Sequence, residues 1–177
     1  DAQGREIKYL RVSVTDRCNL RCKYCMPNGI ECVEHKDILS FEEIRQIAVC
    51  GARLGITKIR LTGGEPLARK GCPELIRMLK EIPGIEKIAM TTNGTLVRAI
   101  LPELVEAGLD EINISLDTLD AGTFAAITGQ DLLPEVLLAI DAALAAGLKV
   151  KVNAVSMPDT DWKRLITLAK DKPVDVR

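Results

Sequence analysis

The sequence is poor in aromatic residues, which make up 3% of its 177 positions with Trp162 the only tryptophan. That removes the stacking platforms on which single-stranded nucleic acid is bound. Charge of one sign is also missing: 24 Lys and Arg against 25 Asp and Glu leave a formal net charge of -1, so no chain-wide field favours nucleic acid or an anionic membrane. No stretch approaches 18 uninterrupted apolar residues, and the start (Asp1, Ala2, Gln3, Gly4, Arg5) lacks the basic-then-apolar layout of a secretory signal. These absences predict a cytoplasmic protein with neither nucleic acid nor membrane as partner. His35 is the only histidine, and beside a charged loop it reads as a solvent-facing residue. Low-complexity tracts and flexible linkers are missing as well, so residues 1–177 read as one domain; 47% hydrophobic and 28% charged residues are a globular balance.

What is present is a recurring unit: a short β-branched run, a turn, then a segment of helical periodicity. The strand candidates are Tyr9 to Thr15, Lys58 to Thr62, Lys87 to Asn93, Glu111 to Asp117 and Lys149 to Val155, with a sixth beginning at Val174. Between them Ile44, Ile47, Gly51 and Leu54 form an apolar stripe behind a capping box at Ser40 and Glu43. Further stripes run through Leu75, Ile76 and Leu79 after Pro73, through Ile100, Leu101, Leu104 and Val105, through Val136, Leu137, Ile140 and Leu144, and through Leu165, Ile166 and Ala169. Strands alternating with helices predict a parallel sheet with right-handed crossovers.

The strands alternate. One parity is apolar: Leu10, Val12 and Val14; Ile59 and Leu61; Ile88 and Met90; Ile112, Ile114 and Leu116; Val150 and Val152; Val174 and Val176. The other carries Arg11, Ser13 and Thr15; Arg60 and Thr62; Thr91 and Asn93; Asn113, Ser115 and Asp117; Lys151 and Asn153; Asp175 and Arg177. Helices do not cover such a face cheaply, since each buried unpaired polar group costs about 1 to 3 kcal/mol. A sheet curved with its helices outside would put the polar parity in a lumen, which predicts an α/β fold of the partial (β/α)6 TIM-like barrel type. An open sheet with one face in solvent is the alternative.

Three of six cysteines, Cys18, Cys22 and Cys25, sit at C-x3-C-x2-C spacing in a loop after the first strand. In a reducing compartment a tight cysteine group is a metal or redox site sooner than a disulfide framework. Three thiolates can hold three corners of an iron–sulfur cubane and leave the fourth iron open to a small molecule. Structural zinc with Cys32 as a fourth sulfur stands beside that reading. Cys32, Cys50 and Cys72 are otherwise read as structural.

The run from Tyr9 to Pro27, with Thr15-Asp16-Arg17-Cys18-Asn19-Leu20-Arg21-Cys22-Lys23-Tyr24-Cys25-Met26 at its centre, resembles the signature region of the GTP 3′,8-cyclases, a family of radical S-adenosylmethionine enzymes in molybdenum-cofactor biosynthesis. Ile59 to Leu67 with Gly63-Gly64-Glu65-Pro66, Thr91 to Gly94, Asn113 to Asp120 and Thr128-Gly129-Gln130 are similar to further blocks of that family. The resemblance implies a 4Fe-4S cluster on Cys18, Cys22 and Cys25, and S-adenosylmethionine held by Tyr24, Gly63, Gly64, Glu65 and Ser115. It also implies GTP on Arg11, Arg60, Thr91 and Lys151, an external reducing system and a pathway partner that processes the cyclic nucleotide. The implied reaction removes the C3′ hydrogen of GTP by a 5′-deoxyadenosyl radical and joins C3′ to C8 of guanine. Arg177 matches a further arginine of the family.

Members are longer and carry a second three-cysteine cluster that binds guanine; no cysteine follows Cys72 here. The expectation is therefore a barrel portion truncated in its sixth strand, lacking the second-cluster region and unable to complete GTP cyclisation by itself. Another radical S-adenosylmethionine enzyme, such as a peptide-modifying one, or a noncatalytic zinc or iron–sulfur domain, are the competing expectations.

Overall fold

The computed structural model describes residues 4–25, 29, 33–157 and 161–177. The expectations for Cys32, for the side chain of His35 and for Met26 and Pro27 lie outside the described residues. Six parallel strands, β1 (Tyr9–Ser13), β2 (Lys58–Thr62), β3 (Lys87–Thr92), β4 (Glu111–Ser115), β5 (Lys149–Asn153) and β6 (Asp175–Val176), lie side by side in sequence order. Helices α1 (Phe41–Arg53), α2 (Cys72–Lys80), α3 (Val97–Glu106), α4 (Ala121–Thr128), α5 (Leu133–Ala145) and α6 (Trp162–Asp171) join them. Every crossover steps one strand in the same direction, so right-handed connections leave all helices on one face; a doubly wound sheet reverses its order instead.

The helix-bearing face carries the apolar parity: Ile59, Leu61, Ile88, Met90, Ile112, Ile114 and Val152 are fully buried there. Among the described residues the opposite face has no helix, yet Arg60 (6% exposed), Glu111 (4%), Asn113 (6%) and Lys151 (9%) are buried on it. On a flat sheet those side chains would stand in water. Their burial requires the strands to curl around them, which makes the fold a partial (β/α)6 barrel. At the free edge of β1 the same parity, Arg11 and Ser13, is exposed.

Local signals set the helix ends. Ser40 and Glu43 form the reciprocal capping box of α1, Pro73 stands in the first turn of α2, and Asp161 accepts from the first turn of α6. The α1 stripe is shifted from its expected line: Ile44 and Ala48 are buried, whereas Ile47 and Leu54 are exposed. Gly51 lets Ile56 and Leu10 come close, and the helix seats on that smooth line. Helix α4 was not foreseen, because Ala-Gly-Thr-Phe-Ala-Ala-Ile-Thr has no polar face; the Asp120 cap and Gly129 at its end define it.

Four strands end one or two residues before the expected Thr15, Asn93, Asp117 and Val155. Side chains take over from the ladder there: the Asn93 N–H donates to Glu65 and the Val155 N–H to Asp117. The sixth strand starts at Asp175 instead of Val174, whose N–H turns back to Lys172. No single helix among the described residues is long and apolar enough to cross a membrane.

Ile114, on the central strand, packs where Gly94 and Val136 meet. Ile114→Ala should lower unfolding free energy by about 2 to 5 kcal/mol, read as a fall in the urea midpoint with unchanged slope.

Candidate functional site

The cysteine loop leaves β1 still paired to β2, with Val14 N–H donating to Thr62 O (2.8 Å). The glycine pair then receives it: Gly64 N–H donates to Thr15 O (2.8 Å) and Glu65 N–H to Arg17 O (2.8 Å). A Cβ on Gly63 would lie 2.4 Å from Thr15 O, and one on Gly64 2.4 Å from Arg17 O. Only glycine allows this approach, so the amides of Gly64 and Glu65 hold the loop instead of facing a ligand. On its far side the loop rests on the C-terminal end of α4, where Arg21 N–H donates to Thr128 O and Lys23 N–H to Ile127 O, satisfying carbonyls that a helix end leaves open.

Cys18, Cys22 and Cys25 line one cavity, together with Tyr24, Gly63, Gly64, Thr91 and Ser115. All three are free thiols, Cys25 exposed and the others half-buried. Cys18 Sγ accepts from Leu20 N–H (3.4 Å) and Asn93 Nδ2 (3.8 Å). Burial first, then the neighbouring Cys18, Asp117 and Cys25, push the Cys22 thiol up to about 11; a cationic centre among these sulfurs relieves that repulsion. No group of three or more His, Cys, Asp or Glu side chains among the described residues is arranged to hold a single metal ion. Three thiols line the cavity, the number that would hold three corners of an iron–sulfur cubane and leave the fourth open. Cys50 is exposed on α1 and Cys72, pushed up to about 12 by burial and then by Glu65, is buried in α2; neither lines the cavity.

Glu65 stands behind the cavity, fully buried. Its Oε1 accepts from Leu67 N–H (3.0 Å) and the Thr92 hydroxyl (2.8 Å), and its Oε2 from Asn93 N–H (2.7 Å). Burial pushes its carboxyl up, against these three bonds. Placed so, Glu65 braces the ends of β2 and β3 and presents no free oxygen to the cavity. Asn93 extends the brace, donating to Asn19 Oδ1 (2.8 Å) within the cysteine loop. From the other side the Tyr24 hydroxyl donates to Asp117 Oδ2 (2.7 Å), while Asp117 Oδ1 accepts from Val155 N–H. Burial, then the Asp117 carboxylate, push the Tyr24 phenol up, so it stays protonated as the donor.

A family model described as the radical SAM superfamily matches residues 12–171. The chain belongs to the radical SAM superfamily. It is 51% identical over 89% of its length to the GTP 3′,8-cyclase of Erythrobacter litoralis, 48% of which is covered, and 51% identical over its whole length to that of Heliobacterium modesticaldum, 56% covered. The chain spans about half the length of these curated relatives. Among solved structures it is similar to Streptococcus suis SuiB bound to S-adenosylmethionine (TM-score 0.74, 20% identity, 92% of this chain and 35% of that one). It is likewise similar to anSMEcpe with bound AdoMet (TM-score 0.73, 18% identity, 95% and 50%). At those identities the likeness concerns the fold.

The radical SAM barrel of this chain continues below the cysteine cavity in layers set by strand register. Arg11, Arg60, Ala89, Glu111 and Lys149 form one row; Ser13, Thr62, Thr91, Asn113 and Lys151 form the next toward the cysteines. Arg60 Nη1 donates to Thr91 Oγ1 (3.3 Å), linking the two. The expected GTP residues therefore share one face, but only Thr91 reaches the cysteine cavity; Lys151 stands in the row of Thr91 without lining it, Arg60 lies a row deeper and Arg11 is on the open edge. Burial, then Arg177, push the Lys151 ammonium down.

Sequence reasoning missed Glu111. Its Oε2 meets Lys58 Nζ at 2.6 Å and Arg60 Nη2 at 3.9 Å, and its Oε1 lies 4.0 Å from Lys87 Nζ. Extending the polar parity back by two residues from Asn113 finds it, as the same step from Arg60 finds Lys58 and two such steps from Thr91 find Lys87. Burial raises the Glu111 carboxyl, but the Lys58 hydrogen bond and the charges of Lys58, Lys151 and Lys149 outweigh it and hold it below the ordinary range.

Two outcomes are expected. Gly64→Ala should cost about 3 kcal/mol by overpacking and prevent retention of iron and sulfide after reconstitution, whereas Gly122→Ala, at an exposed helix position, should leave both unchanged. Glu111→Gln should cost about 2 kcal/mol at neutral pH. Because the Glu111 folded-state pKa is depressed, its contribution is present above the unfolded carboxylate pKa and lost as pH falls through the folded one. The wild-type and variant melting curves should therefore converge in acid.

Proposed function

We propose that the chain is the S-adenosylmethionine-binding barrel of a GTP 3′,8-cyclase, converting GTP to 3′,8-cyclo-7,8-dihydro-GTP in molybdenum-cofactor biosynthesis in the cytoplasm. The observation that carries this reading is identity near one half over the whole chain to curated enzymes of that name.

Cys18, Cys22 and Cys25 would hold a 4Fe-4S cluster at the mouth of the barrel. When bound there with S-adenosylmethionine and reduced by an external donor, the cluster supplies the electron that yields methionine and the 5′-deoxyadenosyl radical. The chain's own residues position and shield. Gly63, Gly64 and Glu65 fix the loop against the strands, the Glu65 carboxylate acting through the backbone of β3. Tyr24, held by Asp117, presents its ring at the cavity for the adenine, and Ser115 offers a hydroxyl beside it. One and two rows below, Thr91, Lys151, Arg60 and the open-edge Arg11 face the lumen, where arginine forks and a lysine point charge suit phosphate oxygens. A nucleotide triphosphate extended along the lumen would place its sugar under the cofactor, within reach for C3′ hydrogen removal. The cyclic product then passes to a pathway partner. A peptide-modifying activity, the alternative, gives these buried cations no role.

Reconstituted anaerobically with iron and sulfide, this polypeptide should bind close to four irons and, on reduction, cleave S-adenosylmethionine to 5′-deoxyadenosine; Cys22→Ala should do neither. Tightly bound zinc with no cleavage in a folded sample would overturn the proposal. The cysteines that the resemblance places on guanine are not among these 177 residues, so cyclisation of GTP is not expected of this polypeptide by itself.

A further inference from the structure

Asn113 sits on the central strand β4 and is 6% exposed, and its Oδ1 is buried with no hydrogen-bond partner. An orphaned buried oxygen costs about 1 to 3 kcal/mol, and native proteins keep such groups chiefly where a ligand, water or function satisfies them. Candidate donors exist within the protein but do not bond it. Thr91 and Lys151 flank Asn113 in register on β3 and β5, and neither donates to it.

Its position says what would. Two residues before it on the same face is Glu111 with the cations Lys58 and Arg60; two residues after it is Ser115, at the cysteine cavity. Two residues of strand span roughly 6.6 Å, so Asn113 lies midway between an anion-binding level and the level where the radical would form. In a nucleoside triphosphate the sugar occupies the corresponding middle. An oxygen that can only accept, among cations that already serve the phosphates, matches a neutral donor, and the sugar's donors are its hydroxyls.

We propose that Asn113 is a substrate-positioning residue whose Oδ1 accepts a hydrogen bond from a ribose hydroxyl of the nucleotide, orienting the sugar between the cation level and the cysteine cavity. This rests on the nucleotide reading of the lumen.

The test is equilibrium binding of GTP, 2′-deoxy-GTP and 3′-deoxy-GTP to the reconstituted chain and to Asn113→Ala and Asn113→Asp, each first shown folded by its melting curve. Wild type should bind one deoxynucleotide about five- to tenfold more weakly than GTP, as one net hydrogen bond implies. Asn113→Ala should bind GTP as weakly as that deoxynucleotide, abolishing the discrimination. Asn113→Asp keeps an acceptor and should keep the discrimination while weakening all three ligands through its charge; if the alanine variant does not fold, Asn113→Leu, of similar size and without an acceptor, takes its place in every outcome. Unchanged discrimination in Asn113→Ala, or loss of discrimination in Asn113→Asp equal to that in a folded alanine variant, would overturn the assignment alone. Failure of wild type to bind GTP while it still cleaves S-adenosylmethionine would overturn the nucleotide reading and the assignment with it.

Discussion

The structure depends on a parallel sheet that carries charged and polar side chains along one face and apolar ones along the other. Helices take the apolar face, since a crossover helix brings its own apolar stripe to it. The polar face has to be either wet or folded inward. Here Arg60, Glu111, Asn113 and Lys151 are buried without a helix above them, so inward curvature is the solution, and a lumen follows from it. Fold and binding space share one cause.

The strand ends show a second constraint. Where β2, β3 and β4 stop, two carboxylates, Glu65 and Asp117, accept backbone N–H groups of Asn93 and Val155. That ends the regular ladder at the rim and fixes the cysteine loop from both sides, through Asn93 and Asn19 on one flank and Tyr24 on the other. The glycine pair completes it by letting two strands' backbones approach closer than any side chain permits. The two carboxylates that hold the rim, Glu65 and Asp117, are themselves bonded to backbone N–H groups.

Electrostatics in the lumen are local. A chain of net charge -1 still concentrates Lys58, Arg60 and Lys87 around a single carboxylate. Arg60 is buried beside that carboxylate, whereas Lys58 is a quarter exposed and Lys87 more than half exposed, so only the Arg60 charge would be costly to bury unpaired.

Much of this was legible in the order of residues. Alternation in the strands predicted a two-faced sheet and named the lumen side chains, because a strand's side chains alternate whatever the tertiary context. The C-x3-C-x2-C loop and Gly63-Gly64 announced the cysteine cavity, since cysteine spacing and tight turns are local properties. Other features came only with packing. The Glu65 carboxylate is buried among the β2 and β3 backbones and braces them; the short apolar α4 exists through its caps and the loop that docks on it. The orphaned oxygen of Asn113 is visible only once its neighbours are placed. The sequence by itself determined which side chains share a face, because that depends on period alone; tertiary structure decided which of them meet, are buried or stand without a partner, because those depend on how far the sheet curls.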